Sequence, residues 1–418
     1  MRLTRRHPLS QDGPVVYLNV GDIHKGRVEL RLSGRVSEDA ARAWSGRVTP
    51  RAGDVVFGYE ATVGEAALLT SDHRWCLGRR VGLLRPRPDR IDPRFLVYSW
   101  YTPRFQETLR ANRVGGTTIE SIRLTDLPTW TIQLPDLDEQ HRIAGILGAL
   151  DDKIGLNRRM SQVLETTARA LFQSWFVDFD PVRAKAERHD TGLPEQLADL
   201  FPDALEDSEL GEIPSGWHVA PLDSEFELTM GQSPPGDTYN DIGNGPPFYQ
   251  GRVDFGFRFP TRRVYCTAPT RFARAGDTLV SVRAPVGDTN IAWEDCAIGR
   301  GIAAVRHRTT NRTYTYEFMR SLASVFARFN AEGTVFGSIG KRDFHEIPCI
   351  VPPPSLVTLF GRLTGPVDNR IESGEREARI LASVRDVLLP KLISGDLQIK
   401  DAERSTRTLT ERSPASRV

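Results

Sequence analysis

Long apolar runs are missing from this chain. In 418 residues no window approaches the roughly 18 uninterrupted apolar residues of a membrane span, which excludes channel and transporter classes built on spanning helices. The opening MRLTRRHPLS has positive charge but no apolar stretch behind it, so no secretory leader is expected and the cytoplasm is the expected compartment. Cysteine is scarce: Cys76, Cys266, Cys296 and Cys349 lie far apart with no C-x-x-C pair, which argues against a disulfide framework, a zinc site or redox work. The eight histidines are scattered without ligand spacing.

Catalytic signatures are equally thin. No G-x-x-x-x-G-K-[ST] phosphate loop exists, since Gly340-Lys341 lacks the earlier glycine and the following hydroxyl. Neither H-E-x-x-H nor G-x-S-x-G occurs, and Ser233-Pro234-Pro235 lacks the asparagine of an amino-methyltransferase motif. Gly299-x-Gly301-x-x-Ala304 echoes a dinucleotide loop, but the following IAAVRHR reads as a strand where that loop needs a helix. Asp136 with Asp151, Asp152 and Lys153 mimics a metal-nuclease arrangement, yet the second triplet falls in the middle of a helical pattern. These absences favour a binding module with no catalytic or metal residues, ahead of a nuclease with an unrecognised metal site or a coiled-coil protein-interaction adaptor.

What is present is a duplication. RAGDVVFGYEATVG (51–64) returns as RAGDTLVSVRAPVG (274–287) and GRRVGLLR (78–85) as GRGIAAVR (299–306), at offsets of 223 and then 221. At an offset of 217, Gly116, Thr117, Ser121 and Ile122 match Gly333, Thr334, Ser338 and Ile339, and Ile154 and Leu171 match Ile371 and Leu388. A drifting offset is what loop insertions leave in a duplicated unit, and a period this long is a tandem pair of domains, not a solenoid.

Each copy runs from a β-rich region into a helical one. VVYLNV, DVVFGY and VGLLR are short runs of β-formers bounded by Gly, Asp and Pro. From Asp138 to about Val177, Ile143, Leu147, Leu150, Ile154, Met160, Leu164, Leu171 and Trp175 recur in steps of three and four. Asp136 and Glu139 form a capping-box pattern and Pro181 is expected to stop the helix. Some 40 residues at 1.5 Å each make a rod of ~60 Å that needs a partner along its length. Leu356, Leu359, Leu363, Val367, Ile371, Ile380, Val384, Leu388 and Leu392 supply one, interrupted by Gly365, Pro366 and Gly374 and capped by Gly395. The expected fold is therefore α+β, with two β-rich domains joined by two long antiparallel coiled-coil helices in pseudo-twofold symmetry. The expected boundaries are 1–134 for the first domain, 135–180 for the first spacer helix, 181–216 for an acidic connector, 217–353 for the second domain, 354–396 for the second helix and 397–418 for a mostly disordered tail. The net charge of +1 hides an asymmetry: residues 1–130 hold 21 Lys+Arg against 14 Asp+Glu, and 131–216 hold 8 against 17. A basic first domain is compatible with a polyanion partner.

Three segments carry a family resemblance: LPDLDEQHRIAGILGALDDKIGLNRRMSQVLETTARALFQSWFVDFDPV (134–182), LGEIPSGWHVAPLDSEFELTMGQSPP (210–235) and LLPKLISGDLQI (388–399). They closely resemble the specificity subunit of Type I restriction-modification enzymes, and the order of domains and helices agrees. The resemblance implies that each target recognition domain reads one half of a divided double-stranded DNA sequence and that the helices fix the gap. It also implies docking of two methyltransferase subunits and of restriction/translocase subunits, with S-adenosylmethionine, ATP and Mg on those partner chains and no cofactor here. A ~60 Å rod can hold two readers one DNA turn apart.

Loop residues matched between copies are the candidates for phosphate contacts, because the backbone is common to both half-sites. They are Gly116, Thr117, Thr118 and Ser121 in the first copy and Gly333, Thr334, Gly337, Ser338 and Lys341 in the second. Residues that differ between copies should read bases: Tyr59, Arg79 and Arg113 in the first, and Gln232, Tyr249, Gln250, Arg252 and Arg283 in the second. One departure stands out. Pro246-Pro247-Phe248-Tyr249 follows about 30 residues of its domain, whereas the apparent counterpart Pro14-Val15-Val16-Tyr17 opens the chain. The first domain is thus expected to lack an opening strand, through a start lying further upstream or through degeneration.

Overall fold

The structure, a computed structural model, describes residues 12–30, 34–46, 48–71, 73–115, 119–331, 337–400 and 402. The chain divides into two compact units, residues 1–157 with 376–418 and residues 158–375. Both long helices pass through both units.

In the first unit, Val55–Gly58 lies antiparallel between Ala66–Leu68 and Val81–Leu84. Val15–Leu18 lies between Gly34–Val36 and Trp75–Leu77, parallel to the latter. The strands expected from VVYLNV, DVVFGY and VGLLR are therefore present. Aspartate-capped helix Pro93–Trp100 covers the first sheet with Leu96, Val97 and Trp100 and turns Phe95 toward the long helices. The second unit repeats this plan with one strand more: Phe226–Met230, Ile302–His307, Thr278–Ser281 and Thr289–Ile291 form an antiparallel sheet in that order. Phe248–Tyr249 runs parallel to Cys296–Ile298, as Val15–Leu18 does to Trp75–Leu77. Among the described residues Val81–Leu84 has a single strand neighbour, where its counterpart Ile302–His307 has two.

The duplicated RAGD strings build the same corner twice. Gly53 and Gly276 both take positive φ, +89° and +87°, the region glycine adopts at little cost. The aspartate that follows accepts from the backbone N–H three residues back and binds an arginine of the neighbouring strand or just past its end: Asp54 takes Arg85 Nε at 2.7 Å and Nη2 at 2.8 Å, and Asp277 takes Arg306 Nε at 2.7 Å. Burial pushes the Asp277 carboxyl up, whereas at Asp54 the arginine and the Arg51 N–H overcome burial and hold it down.

Leu137–Phe176 is one helix, begun by Asp136 Oδ1 accepting from the Glu139 N–H at 2.8 Å. Gln140, fully buried, fastens its start to the domain: Oε1 accepts from the Asp92 N–H, and Nε2 donates to the Arg90 and Pro135 carbonyls. In the first unit Ile143, Leu147, Leu150 and Ile154 pack with Ala378, Leu381, Leu388 and Leu392 of helix Pro354–Ser394. Arg385 Nη1 reaches Asp151 at 2.7 Å and Asn157 Nδ2 reaches Glu377 at 2.8 Å, so one number rises as the other falls and the pair is antiparallel. In the second unit Leu164 clusters with Val367 and Ile371, and Phe172 and Trp175 with Phe360, in the same antiparallel sense.

Several expectations need correction. Pro181 does not stop the first helix: the helix ends at Phe176, Phe179 turns left-handed at φ +57°, and Pro181 sits in the first turn of helix Asp180–Ala186, where its missing N–H costs nothing. Residues 181–216 are folded, with the hairpin Leu205–Ser208/Gly211–Pro214 and with Val182, Phe201 and Ile213 buried in the second unit's core. Gly365, Pro366 and Gly374 do not interrupt Pro354–Ser394. Leu363 and Ile380 are exposed, while Thr364 and Asp368 take buried positions beside the Pro366 turn. Gly395, at φ +81°, caps the helix as expected.

Candidate nucleic-acid interface

An antiparallel sheet brings alternate strand ends to one edge. In the second unit the C-terminal ends of Phe226–Met230 and Thr278–Ser281 lie beside the N-terminal ends of Ile302–His307 and Thr289–Ile291. The segments 231–235, 282–288 and 299–301 therefore leave from the same edge. Backbone bonds hold them there: Gln232 N–H to Ile298 O at 3.0 Å, Val282 N–H to Gly301 O at 2.9 Å, and Ile339 N–H to Val282 O at 3.0 Å. A Cβ on Gly301 would come within 2.3 Å of the Gln250 carbonyl, so this glycine lets the 250 turn close onto the edge. Gln232, Gln250, Arg252, Arg283, Ser338 and Lys341 are exposed around it. Arg252 is held by Asp288 at 2.6 Å, and Arg283 forms a β-bridge with Ser338. Among the described residues Arg283 has no ion pair, which leaves a guanidinium free for an acceptor in solvent.

The first unit has the same edge with different side chains. Tyr59 N–H bonds Arg80 O and Ile122 N–H bonds Tyr59 O, as Val282 and Ile339 do in the second copy. Tyr59 thus stands where the second copy has core Val282, and it packs against the Trp100 cluster. Arg113 donates to Glu120 at 2.5 Å and to the Val63 carbonyl at 3.4 Å; its counterpart Asn330 donates to the matching Val286 carbonyl at 3.2 Å. Both side chains brace the loop. Ser121 bridges Glu60 and donates to Val114 O, and Arg79 is exposed in its turn.

Not every expected residue is placed for contact. Tyr249 is 1% exposed and sits among Leu279, Ile298 and Ile302, so its ring is core and unavailable to a base. Gly337 is buried, its carbonyl accepting from Ala284 N–H. Gly116, Thr117, Thr118, Gly333 and Thr334 lie outside the described residues. The strand register also shifts the expected match between openings by one: Tyr17 faces Cys76 as Phe248 faces Ala297, so Leu18 corresponds to Tyr249 and Asn19 to Gln250. Asp22 and Asp254 confirm it, each accepting the N–H of that amide residue, at 2.9 Å and 2.7 Å. Sequence reasoning misses Asn19 for this reason. It also misses exposed Arg300, although GRRV over GRGI pairs it with Arg79.

The nuclease-like residues have other work. Asp151 accepts from Tyr98 and Arg385, Asp152 pairs with Arg94 and Lys153 with Glu377. All four cysteines are buried and unpaired with one another. No helix among the described residues is long and apolar enough to cross a membrane.

Comparison with known proteins agrees with this organisation. The family model for the Type I restriction modification DNA specificity domain matches residues 4–166. A putative type I restriction enzyme MjaX specificity subunit of Methanocaldococcus jannaschii is 29% identical over 356 residues, covering 83% of this chain and 79% of the relative. The HindI specificity subunit of Haemophilus influenzae is 23% identical and covers 94% of this chain and 97% of its own. The crystal structure of a Type I restriction-modification S subunit from M. genitalium matches 92% of this chain and 90% of its own with a TM-score of 0.55; at 18% identity that likeness speaks to the fold. The duplicated sheet edges and the paired helices accord with these similarities, which are to specificity subunits of Type I restriction enzymes over most of the chain.

Proposed function

We propose that each β-rich domain reads one half of a divided double-stranded DNA target through the loop edge of its sheet, and that the antiparallel helix pair sets the spacing of the halves. The repeated edge carries this reading: two copies of one loop scaffold, held by the same backbone bonds, present different side chains. A shared scaffold suits the common phosphate backbone and variable tips suit different bases. Ser121, Ser338 and Lys341 are assigned to phosphates, and Gln232, Gln250, Arg252, Arg283 and Arg79 to base edges. Gly116, Thr117, Thr118, Gly333 and Thr334 keep their phosphate assignment as neighbours of Ser121 and Ser338 in sequence.

Two methyltransferase subunits and restriction/translocase subunits are proposed to dock on the chain and to carry S-adenosylmethionine, ATP and Mg, in the cytoplasm. The test of the spacer is an insertion of seven residues in each long helix, which adds ~10 Å to each. The expected result, read by sequencing methylated DNA from cells carrying the complete system, is an altered gap between unchanged half-sites. An unaltered gap refutes the ruler.

A further inference from the structure

The two reader edges differ at one position in a way that names the base each prefers, on the premise that the domains bind DNA as proposed above. Glu60 and Arg283 occupy the same place, nine and nine residues after the matched Arg51 and Arg274. Each forms the isolated β-bridge to the loop serine, Ser121 or Ser338, just beyond the central strand. The following residue bonds the opposite loop in both copies, Ala61 N–H to Glu120 O at 3.0 Å and Ala284 N–H to Gly337 O at 2.8 Å. The backbone is therefore the same and only the side chain has changed sign.

Their surroundings changed with them. Glu60 holds Arg80 Nε at 2.9 Å, and the residue matching Arg80 is Gly301, so the arginine goes with the carboxylate and is absent where the guanidinium stands. One arginine contact leaves most of a carboxylate's acceptor sites open. Both side chains reach solvent at the sheet edge.

We propose that this position reads one base in each half-site, Glu60 accepting from the exocyclic amine of cytosine or adenine and Arg283 donating to O6 and N7 of guanine. A carboxylate can only accept, and in the major groove it meets a donor on those amines; a guanidinium fork matches the two acceptors of guanine. The two half-sites consequently differ at the corresponding base.

The test uses the full chain and a library of random duplexes, with bound DNA sequenced after selection. Glu60→Arg is expected to move one position of one half-site from an amine-bearing base to guanine, and Arg283→Glu to do the reverse in the other half-site. Discrimination at the altered position should change by about 5- to 150-fold. Two milder variants guard against misfolding. Glu60→Gln should shift the preference toward adenine, which an amide reads bidentately. Arg283→Lys should keep affinity while losing guanine discrimination, because an ammonium lacks the fork. Unchanged base preferences in these variants, or a uniform loss of affinity across all sequences, would overturn the assignment, since the latter is the signature of a phosphate contact. A wild-type chain that selects no sequence and shows no salt-dependent DNA affinity would sink the proposed function itself, and this inference with it.

Discussion

In the first unit the polar contacts between domain and helices gather on Asp151, which meets Arg27 at 3.4 Å, the Tyr98 hydroxyl at 2.7 Å and Arg385 at 2.7 Å, and its side chain is 18% exposed. In the second they gather on Asp368, 2% exposed, where Arg258 and Thr313 bind its two carboxylate oxygens and Arg312 Nε approaches at 3.3 Å. Glu165 of the first helix completes this cluster, taking Arg320 at 2.5 Å and lying 3.5 Å from Arg258. Arg258 and Arg320 both stand over the Tyr316 ring. One domain is fastened by a network partly open to water and the other by a dry one, so an ion pair in the first carries less energy than one in the second.

The sharpest way to break this comparison is to remove one partner from each network. Arg258→Met leaves Asp368 and Glu165 buried and short of a counter-charge, and is expected to cost about 3–5 kcal/mol. Arg27→Met, beside half-open Asp151, is expected to cost ~1 kcal/mol or less. Hydrogen exchange along Ile302–His307 and along Val55–Gly58 reads the two effects separately. Comparable losses would mean that burial does not distinguish the networks.

The buried network has a pH signature as well. Glu317 lies in it, pushed up to about 7 by burial against the pull of Arg320 and Arg258, with Glu165 and Asp368 adding to the rise. A carboxyl raised on folding destabilises the fold only where the unfolded chain has ionised, so its cost is absent below about 4.5 and complete above about 7. His307, depressed to about 4 by burial and then by Arg308, acts oppositely: its cost is absent above about 6.5 and complete below about 4. Between those limits the two slopes oppose each other. Glu317→Gln is expected to raise stability above pH 7 by on the order of 1–3 kcal/mol and to leave a stability that climbs from pH 4 to 6.5. Denaturant titrations at pH 5 and pH 8 measure it; an unchanged difference between the two pH values would show that the Glu317 carboxyl is not destabilising.

The smallest contrast concerns the duplicated corner. Arg306 is 19% exposed and Arg85 38%, so Arg306→Ala is expected to destabilise its sheet more than Arg85→Ala does. Equal losses by hydrogen exchange in the two sheets would make the corners interchangeable.

Much of this architecture was legible because a duplicated sequence is its own alignment. RAGD over RAGD located the turn glycines, and the strings that followed located the strands. The long helices were legible wherever their buried residues are apolar, as at Ile143, Leu147 and Leu388. They are illegible where the buried face is ionic. Asp368, Glu165 and Thr364 look like solvent positions to any apolar count, and Leu363 and Ile380 were drawn into the stripe in their place. The connector is hard to read for a related reason: its acidic surface hides Phe201 and Ile213, which are buried in the second unit's core. At the reader edge the failure was one of register. A one-residue slip sets Asn19 against Gly251 instead of Gln250 and so conceals it, while the burial of Tyr249 is decided by Leu279 and Ile302, distant in the chain.

The first unit is assembled from the two ends of the chain, with Ile154 packed in one cluster with Ala378. On the ribosome that has a temporal cost. After the apolar face of the first helix emerges, more than 220 further residues must be polymerised before its mate exists. At about 5–20 residues per second, that is roughly 10–45 s during which the nascent chain carries an uncovered sticky stripe. Premature termination anywhere in that stretch leaves the stripe bare for good and makes the truncated product a natural target for chaperones and proteases.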